Sequence, residues 1–253
     1  MKNLNRRRML AQSSGVLAGM GLPLVESMGG QKPTGAKDRL KVVIVGGHPD
    51  DPQSGCGGTM ALYANQSHKV VALFLTRGEM GIPGKSARET SSIRTAEAEK
   101  SCEILGARPR FANQVDARTE VSKSRYEEFW EIVQDEKPDV LFTHWPIDTH
   151  RDHRVASLLA YDAWLRSGRS FALYYYEVEL GSQTQSFQPN HYVDITPMEA
   201  RKRTACFAHA SSVQDWYPLH EQMHRFRGME LGCKSAEAFV RQIQPDSKGE
   251  PLT

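Results

Sequence analysis

Two clusters of histidines and acids carry the residue types of a metal-dependent hydrolytic site. The first is HPDD at residues 48–51, directly after the apolar run VVIVGG. Catalytic zinc usually takes three nitrogen or oxygen ligands from the protein and keeps one position for water. His48 and Asp51 are therefore candidates for two of the ligands. Asp50, next to a ligand, is placed to act as the base that takes a proton from the attacking water.

The second cluster is HWPIDTHRDHR, which begins at His144 and completes the apolar stretch DVLFTH. His150 and His153 are three positions apart, so at the start of a helix both can face the same side. One of them could bind the metal while the other points at the substrate. His144, at the end of its strand, is equally compatible with a structural and a functional role.

The elements around these clusters are predicted to form an α/β sheet. Near-continuous apolar runs such as VVIVGG, KVVALFLT and DVLFTH are typical of strands that are covered on both faces. Helical patterns, including GGTMALYANQS, separate them, and this alternation predicts parallel strands joined by right-handed crossovers. After Gly168, the strand-like ALYYYEVEL and HYVDI precede two helices that end with HEQMHRFRGMELG. The predicted fold class is α/β and Rossmann-like, a mostly parallel sheet with helices on both faces.

The predicted topology brings the two clusters together. In open α/β sheets, ligands bind beyond the carboxyl ends of the strands. Each cluster directly follows a predicted strand, so both should open onto the same edge, although roughly 100 residues separate them. The sequence therefore predicts one composite site.

Several motifs resemble one known family. The segments GHPDDPQSGCGGT and PIDTHRDHR are similar to the paired motifs of the PIG-L/LmbE-like N-acetylglucosaminyl deacetylases. Further similar segments are TRGEMG, IRTAEAEKSCEILGA, YVDIT, KRTACFAHASS, RG at residues 227–228 and AEAF at residues 236–239, so the resemblance covers about residues 40–240. It implies a zinc-dependent hydrolase that removes an acetyl group from an N-acetylated amino sugar. Iron is the alternative metal, because histidine and carboxylate ligands accept both.

The resemblance also implies roles for individual residues. His48, Asp51 and His153 match the metal ligands of the family, and Asp50 matches its general base. His150 matches the histidine that stabilises the oxyanion or protonates the leaving amine.

Three further residues match family positions around the reacting group. Asp152 matches the acid that orients and charges His150, and an aspartate partner favours the imidazolium form. Arg94 and Asp116 match residues that contact the substrate. Without the resemblance, Arg94 would be read as part of a solvated helix face.

One departure from the family pattern stands at Pro52, where the family commonly has glutamate. We interpret it as the loss of a supporting carboxylate, which can change metal affinity or activity about 10–100-fold. Two alternatives to the sugar deacetylase remain open. One is a metal-dependent amidase for a non-sugar N-acyl substrate, and the other is a catalytically weak glycan-binding protein, favoured only by Pro52.

The N-terminus resembles a bacterial export signal. A basic block at residues 6–8 precedes an apolar stretch of about eleven residues, too short to span a bilayer. RRRML resembles the twin-arginine pattern, which implies a periplasmic or extracellular location without a stable membrane anchor. We predict an export signal over residues 1–30, a flexible lead-in over 31–39, the deacetylase domain over 40–243 and a tail over 244–253.

Net charge limits the classes of partner, and cysteine spacing limits the role of the cysteines. Residues 1–30 carry a net charge of +3, so the remainder of the +2 chain is near neutral, with no indication of a nucleic-acid partner. The predicted partner is a small-molecule or oligosaccharide substrate, and the oligomeric state stays open. The four cysteines form no CxxC pair, so we expect them to pack as small apolar residues.

Overall fold

The computed structural model describes residues 39–179 and 182–243. The predicted export signal and the predicted tail lie outside the described residues, as does the lead-in except for residue 39. Among the described helices, none is both long and apolar enough to cross a membrane. The described residues cover the predicted catalytic domain except for residues 180 and 181.

One seven-stranded sheet forms the centre of the domain, in the order β3-β2-β1-β4-β5-β7-β6. The strands are β1 (Lys41–Gly46), β2 (Lys69–Phe74), β3 (Ala107–Phe111), β4 (Val140–His144), β5 (Ala172–Tyr176), β6 (His191–Asp194) and β7 (Ala236–Arg241). The first five pair in parallel, whereas β7 runs antiparallel to both β5 and β6. The predicted α/β class with a mostly parallel sheet is confirmed.

Helices cover both faces of this sheet. They are α1 (Asp51–Asn65), α2 (Ala87–Leu105), α3 (Lys123–Glu136), α4 (Arg151–Arg166), α5 (Glu199–Phe207) and α6 (Val213–Leu231). Successive strand residues point to opposite faces. Val42 and Ile44 of β1 therefore pack with α1 and α2, and Val43 and Val45 pack with α3 and α4. This burial on both sides explains the uninterrupted apolar run of β1.

Two helix boundaries and one strand differ from the prediction. β7 lies between β5 and β6, although no strand is predicted there from the sequence. α6 begins at Val213 rather than near His220, and α1 begins at Asp51 rather than near Gly57. Pro52 and three glycines lower the helix propensity of this first stretch of α1. Every residue from 51 to 61 is nevertheless buried, so packing overrides the local preference.

Glu136, the last residue of α3, collects three cations at the edge of the sheet. Its carboxylate lies 2.7 Å from Lys41 Nζ, 2.6 Å from Arg108 Nη2 and 2.7 Å from Arg110 Nη1, and its side chain is 3% exposed. Burial acts to raise the pKa of Glu136, but the three cations lower it to about 2. Because folding favours the ionised form, the cluster stabilises the protein above pH 4.5 and loses this effect as the pH falls toward 2.

We expect Glu136→Gln to lower the free energy of unfolding at pH 7 by about 1–2 kcal/mol, since all three cations are partly exposed and water screens them. The difference from the wild type should shrink when denaturant unfolding is repeated at pH 3.5. Glu128→Gln is the matched control, because Glu128 is an exposed acid paired with Arg125, and it should change stability by less than about 0.5 kcal/mol. An equal loss at both pH values would contradict the prediction.

Candidate active site

A cavity of about 350 Å³ opens at the carboxyl ends of β1, β4 and β5. Seven of the eight predicted site residues line it, namely His48, Asp50, Asp51, Arg94, Asp116, His150 and His153. The eighth, Asp152, is completely buried, with its Oδ2 3.1 Å from His48 Nε2. Both clusters meet at one edge of the sheet, as their positions after parallel strands predict.

A tight connection of four residues, 47–50, joins β1 to α1. Asp50 precedes the helix with a φ of 118°, in a region that favours glycine. Such a conformation costs on the order of 1–3 kcal/mol and persists where surrounding contacts hold it, commonly at functional sites. The strained turn presents Asp50 and Asp51 side by side to the cavity.

Pro52 has a packing role at the start of α1. It lies in the first helical turn, where the N–H groups lack helical partners, so proline costs no hydrogen bond. Its ring packs against the end of β1, where a Cβ on Gly46 would come within 2.6 Å of Pro52 Cδ. The site does not lack supporting carboxylates, because Asp116, Asp148 and Asp152 lie around the histidines.

Asp51 lies between the two predicted histidine ligands. One of its oxygens is 3.4 Å from His48 Nδ1, and the other is 3.4 Å from His153 Nε2. The second nitrogen of each ring faces another carboxylate: His48 Nε2 is 3.1 Å from Asp152, and His153 Nδ1 is 3.2 Å from Asp148. Metal-binding histidines typically hold their second nitrogen in this way, which orients the ring and its ligand atom.

The charge balance of this group suits a divalent cation. Burial opposes protonation, but nearby carboxylates raise the pKa of His48 well above its usual value and that of His153 to about 9. Burial also disfavours the Asp51 carboxylate, yet His153 and His144 hold its pKa well below the usual range. The site therefore attracts positive charge. Two imidazoles and a carboxylate fit zinc or iron.

His144, which the sequence left open, belongs to the same group. It is fully buried, and its ring stacks on His153 with 3.9 Å between centroids. Its Nε2 lies 3.2 Å from Asp51 and 3.1 Å from the Tyr176 hydroxyl. Burial and the charge of His153 lower the pKa of His144 to about 4, so the ring is neutral. Donor atoms of Asp51, His144 and His153 lie within 4.8 Å of one another, as do those of His48, His150 and His153.

Asp50 is held by two donors. Its Oδ2 accepts hydrogen bonds from Arg94 Nη2 at 2.7 Å and from Ser212 Oγ at 3.0 Å. Trp216 Nε1 donates in turn to Ser212 Oγ at 3.3 Å. Burial raises the pKa of Asp50 and outweighs the opposing effect of the Arg94 guanidinium. Ser212 and Trp216 were not predicted as site residues. The sequence does contain a signal for Ser212, because it is the last residue of the family-like segment KRTACFAHASS.

Arg94 contacts the turn at residues 47–50 instead of facing solvent. It is buried, and its Nη2 donates to the Pro49 carbonyl at 2.6 Å as well as to Asp50. A Cβ on Gly81 would come within 2.3 Å of Arg94 Nη1, so only glycine leaves room for the guanidinium there. The solvated-face reading does not hold, and the guanidinium is placed to orient Asp50.

The Asp116 carboxylate contacts other groups of the protein. Its Oδ1 lies 3.2 Å from His48 Nε2, and its Oδ2 accepts from the Met80 N–H at 3.0 Å. The main-chain N–H of Asp116 donates to Glu79 at 3.0 Å. The residue lines the cavity, but the described contacts make it a support for His48 and for the loop that contains Met80.

The structure corrects the partner predicted for Asp152. Its carboxylate contacts His48, the Thr119 hydroxyl and the Ala117 N–H, rather than the ring of His150. His150 caps α4, and its Nδ1 accepts the Asp152 main-chain N–H at 3.3 Å, which leaves Nε2 as the protonated nitrogen of the neutral ring. Burial, together with the charges of His48 and His153, lowers the pKa of His150. His150 is thus a neutral hydrogen-bond donor at the cavity.

Residues 43–164, which contain both clusters and the turn between β1 and α1, match the PIG-L family, described as GlcNAc-PI de-N-acetylase. The chain contains a PIG-L family domain. The predicted family is thereby confirmed. The matched residues include all eight predicted site residues, the seven that line the cavity and the buried Asp152.

Known relatives of this PIG-L domain include sugar deacetylases. The diacetylchitobiose deacetylase of Thermococcus kodakarensis is 28% identical over 222 residues, which cover 82% of this chain and 83% of that protein. The structure of N,N'-diacetylchitobiose deacetylase from Pyrococcus horikoshii superimposes with a TM-score of 0.72 at 26% identity, covering 83% of this chain and 89% of that chain. A Pseudomonas putida protein named 4-oxalmesaconate hydratase is 24% identical over 196 residues, 69% of this chain and 76% of that protein.

Proposed function

We propose that this protein is a metal-dependent hydrolase that removes the acetyl group from an N-acetylglucosamine-type saccharide or conjugate. The observation that carries the proposal is the arrangement of Asp51 between His48 and His153, with Asp50 beside it in the same cavity. The two diacetylchitobiose deacetylases support the choice of substrate class. One relative is named a hydratase, so similarity to relatives alone does not fix the reaction. The proposed reaction is therefore argued from the residues of the site as well as from the family.

His48, Asp51 and His153 would hold the metal, with zinc as the proposed ion and iron as the alternative. A bound divalent cation supplies Lewis acidity that polarises the amide carbonyl and favours deprotonation of water. Asp50 takes the proton of the attacking water, whose oxygen forms a bond to the carbonyl carbon. The C–N bond then breaks as the amide nitrogen receives the proton that Asp50 holds, which yields a free amine and acetic acid, ionised to acetate in water.

His150 stabilises the negative charge that develops on the carbonyl oxygen. Its Nδ1 already accepts the Asp152 N–H, so Nε2–H is the atom available to donate. A donor of fixed orientation in a buried site stabilises the oxyanion more than water does. Arg94 and Ser212 orient Asp50, while Asp152 and Asp116 orient His48.

We also propose that the protein is exported, and this rests on the basic and apolar residues 1–30 alone. A periplasmic or extracellular location makes a glycan outside the cytoplasm the expected substrate. Cell fractionation of the full chain, compared with a variant in which Arg6, Arg7 and Arg8 are replaced by lysine, tests this. Retention of the variant inside the cell is the expected result, and equal export of both chains would contradict it.

The test of the reaction is amine release from a panel of N-acetylglucosaminides, with bound metal measured on the same sample. We expect activity that disappears on chelation and returns with added zinc or iron. N-acetylated amines that lack a sugar form the control group. Turnover of that group alone would assign a non-sugar amidase instead. A protein that binds saccharides but holds no divalent metal and is not rescued by one would be a glycan-binding protein.

A further inference from the structure

Glu179 places a carboxylate on the cavity wall that the proposed reaction does not use. It lies in the loop after β5 and lines the cavity together with Asp50 and Asp51. Its Oε2 accepts a hydrogen bond from the Ser182 hydroxyl at 3.4 Å, a long contact. Within residues 39–179 and 182–243, no lysine, arginine or histidine forms an ion pair with it.

The main chain holds Glu179 in place. Its N–H donates to His220 Nε2 at 3.2 Å, and its carbonyl accepts from Ser182 at 2.9 Å and from Gln183 at 2.8 Å. The Gln183 carbonyl accepts from the Thr149 N–H at 3.0 Å, which ties this loop to the loop after β4. Burial lowers the pKa of the neighbouring His220 to about 3, so this ring offers no compensating charge.

The cavity as a whole is acidic. Four carboxylates line it, those of Asp50, Asp51, Asp116 and Glu179. Arg94 is the one arginine or lysine among the described lining residues, and Asp50 and a main-chain carbonyl already engage it. A divalent metal and Arg94 together still leave the four acids with an excess of negative charge. Of these acids, Glu179 is the one whose carboxylate has no firm partner in the described protein.

Building on the proposed deacetylase function, we propose that Glu179 selects the substrate by charge. The cavity takes N-acetylated amino sugars whose neighbouring substituents are hydroxyl or ammonium groups, and it rejects those that carry phosphate or carboxylate there. Hydroxyl and ammonium groups donate hydrogen bonds to the free carboxylate, and such charge-assisted bonds are the strong ones. A like charge in a partly buried cavity is disfavoured by about tenfold or more.

The experiment compares kcat/KM of the metal-loaded protein on matched N-acetylglucosaminides. The neutral substrate is N,N'-diacetylchitobiose, the cationic one carries glucosamine as the second sugar, and the anionic ones are N-acetylglucosamine 6-phosphate and N-acetylmuramic acid. We expect the wild type to prefer the neutral or cationic substrates by about tenfold or more. Glu179→Gln should narrow this preference, measured as the ratio of kcat/KM on the neutral substrate to kcat/KM on the anionic ones, by about 3–10-fold. Glu128→Gln is the matched control, because Glu128 is an exposed acid on α3, and this variant should leave the substrate preference unchanged.

An equal or greater rate on the anionic substrates, or a preference that Glu179→Gln leaves unchanged, overturns the proposal. If the wild type releases no amine from any substrate, the deacetylase function fails, and charge selection is then measured by binding. Calorimetric titration of glucosamine and glucosamine 6-phosphate into the metal-loaded wild type and Glu179→Gln gives the ratio of their affinities. If Glu179→Gln binds glucosamine 6-phosphate more tightly relative to glucosamine than the wild type does, the proposal is supported. If the ratio of the two affinities is the same in both proteins, the proposal is overturned.

Discussion

Asp50→Asn is expected to lower kcat for amine release by roughly 10²–10⁴-fold, the usual contribution of a general base. Asparagine has nearly the same shape as aspartate, but its amide cannot take the proton of the attacking water. Asp50 sits next to the proposed metal group, and burial raises the pKa of its carboxylate despite the contact with Arg94. A base with a raised pKa takes a proton more readily at neutral pH, so its loss should be costly.

Three measurements on the same preparation separate this role from others. Turnover, bound metal and the midpoint of thermal unfolding are measured for the wild type, Asp50→Asn and Asp135→Asn. Asp135 is the matched control, since it lies on α3 with 70% of its side chain exposed. Metal content should stay unchanged in Asp50→Asn, because His48, Asp51 and His153 are untouched. Wild-type turnover in Asp50→Asn would show that another group is the base.

Lys202→Met is expected to lower the free energy of unfolding by about 3–5 kcal/mol, because it leaves a buried carboxylate without its cation. Lys202 of α5 is almost fully buried, with its Nζ 2.6 Å from Glu237 Oε1 of β7. The Nζ also donates to His224 Nε2 at 2.8 Å and to the Ser54 carbonyl at 2.7 Å. The ammonium group thus joins α1, α5, α6 and β7 beneath the turn that holds Asp50.

Denaturant unfolding measures this loss, and Lys234→Met is the matched control. Lys234 pairs with Glu199 at the surface, with 66% of the lysine side chain exposed, so its replacement should change stability by less than about 1 kcal/mol. The double variant Lys202→Met/Glu237→Gln should lose less than the sum of the two single variants, because the uncompensated charge is gone. A loss in Lys202→Met no larger than in the control would show that the pair contributes little to stability.

The residues of the site could be predicted because the chemistry and the topology each leave a local signal. Histidines and acids directly after two apolar strands place both clusters at one edge of a parallel sheet. The cavity contains His48, Asp51 and His153 together, and Asp50 beside them, as expected from their positions. Their roles as ligands and base stay predictions that the experiments above test.

The partners within the site could not be predicted in the same way. Arg94 lies on a helix whose pattern suggests a solvated face, yet the turn at Pro49 and Asp50 folds over its guanidinium. Asp152 follows His150 by two residues, but its carboxylate contacts His48, which is distant in sequence. A side-chain contact of this kind depends on how two elements pack, and local spacing does not contain that information.

The sequence by itself determined the fold class, the edge of the sheet that holds the site and the residues that gather there, because strand periodicity and motif order are local properties. Only the tertiary structure decided how those residues are supported: His144 contacts Asp51, Ser212 donates to Asp50, and Glu237 of β7 accepts main-chain N–H groups of α1. It also decided that Glu179 faces the cavity. These contacts join distant segments, so they exist only once the helices have packed on both faces of the sheet.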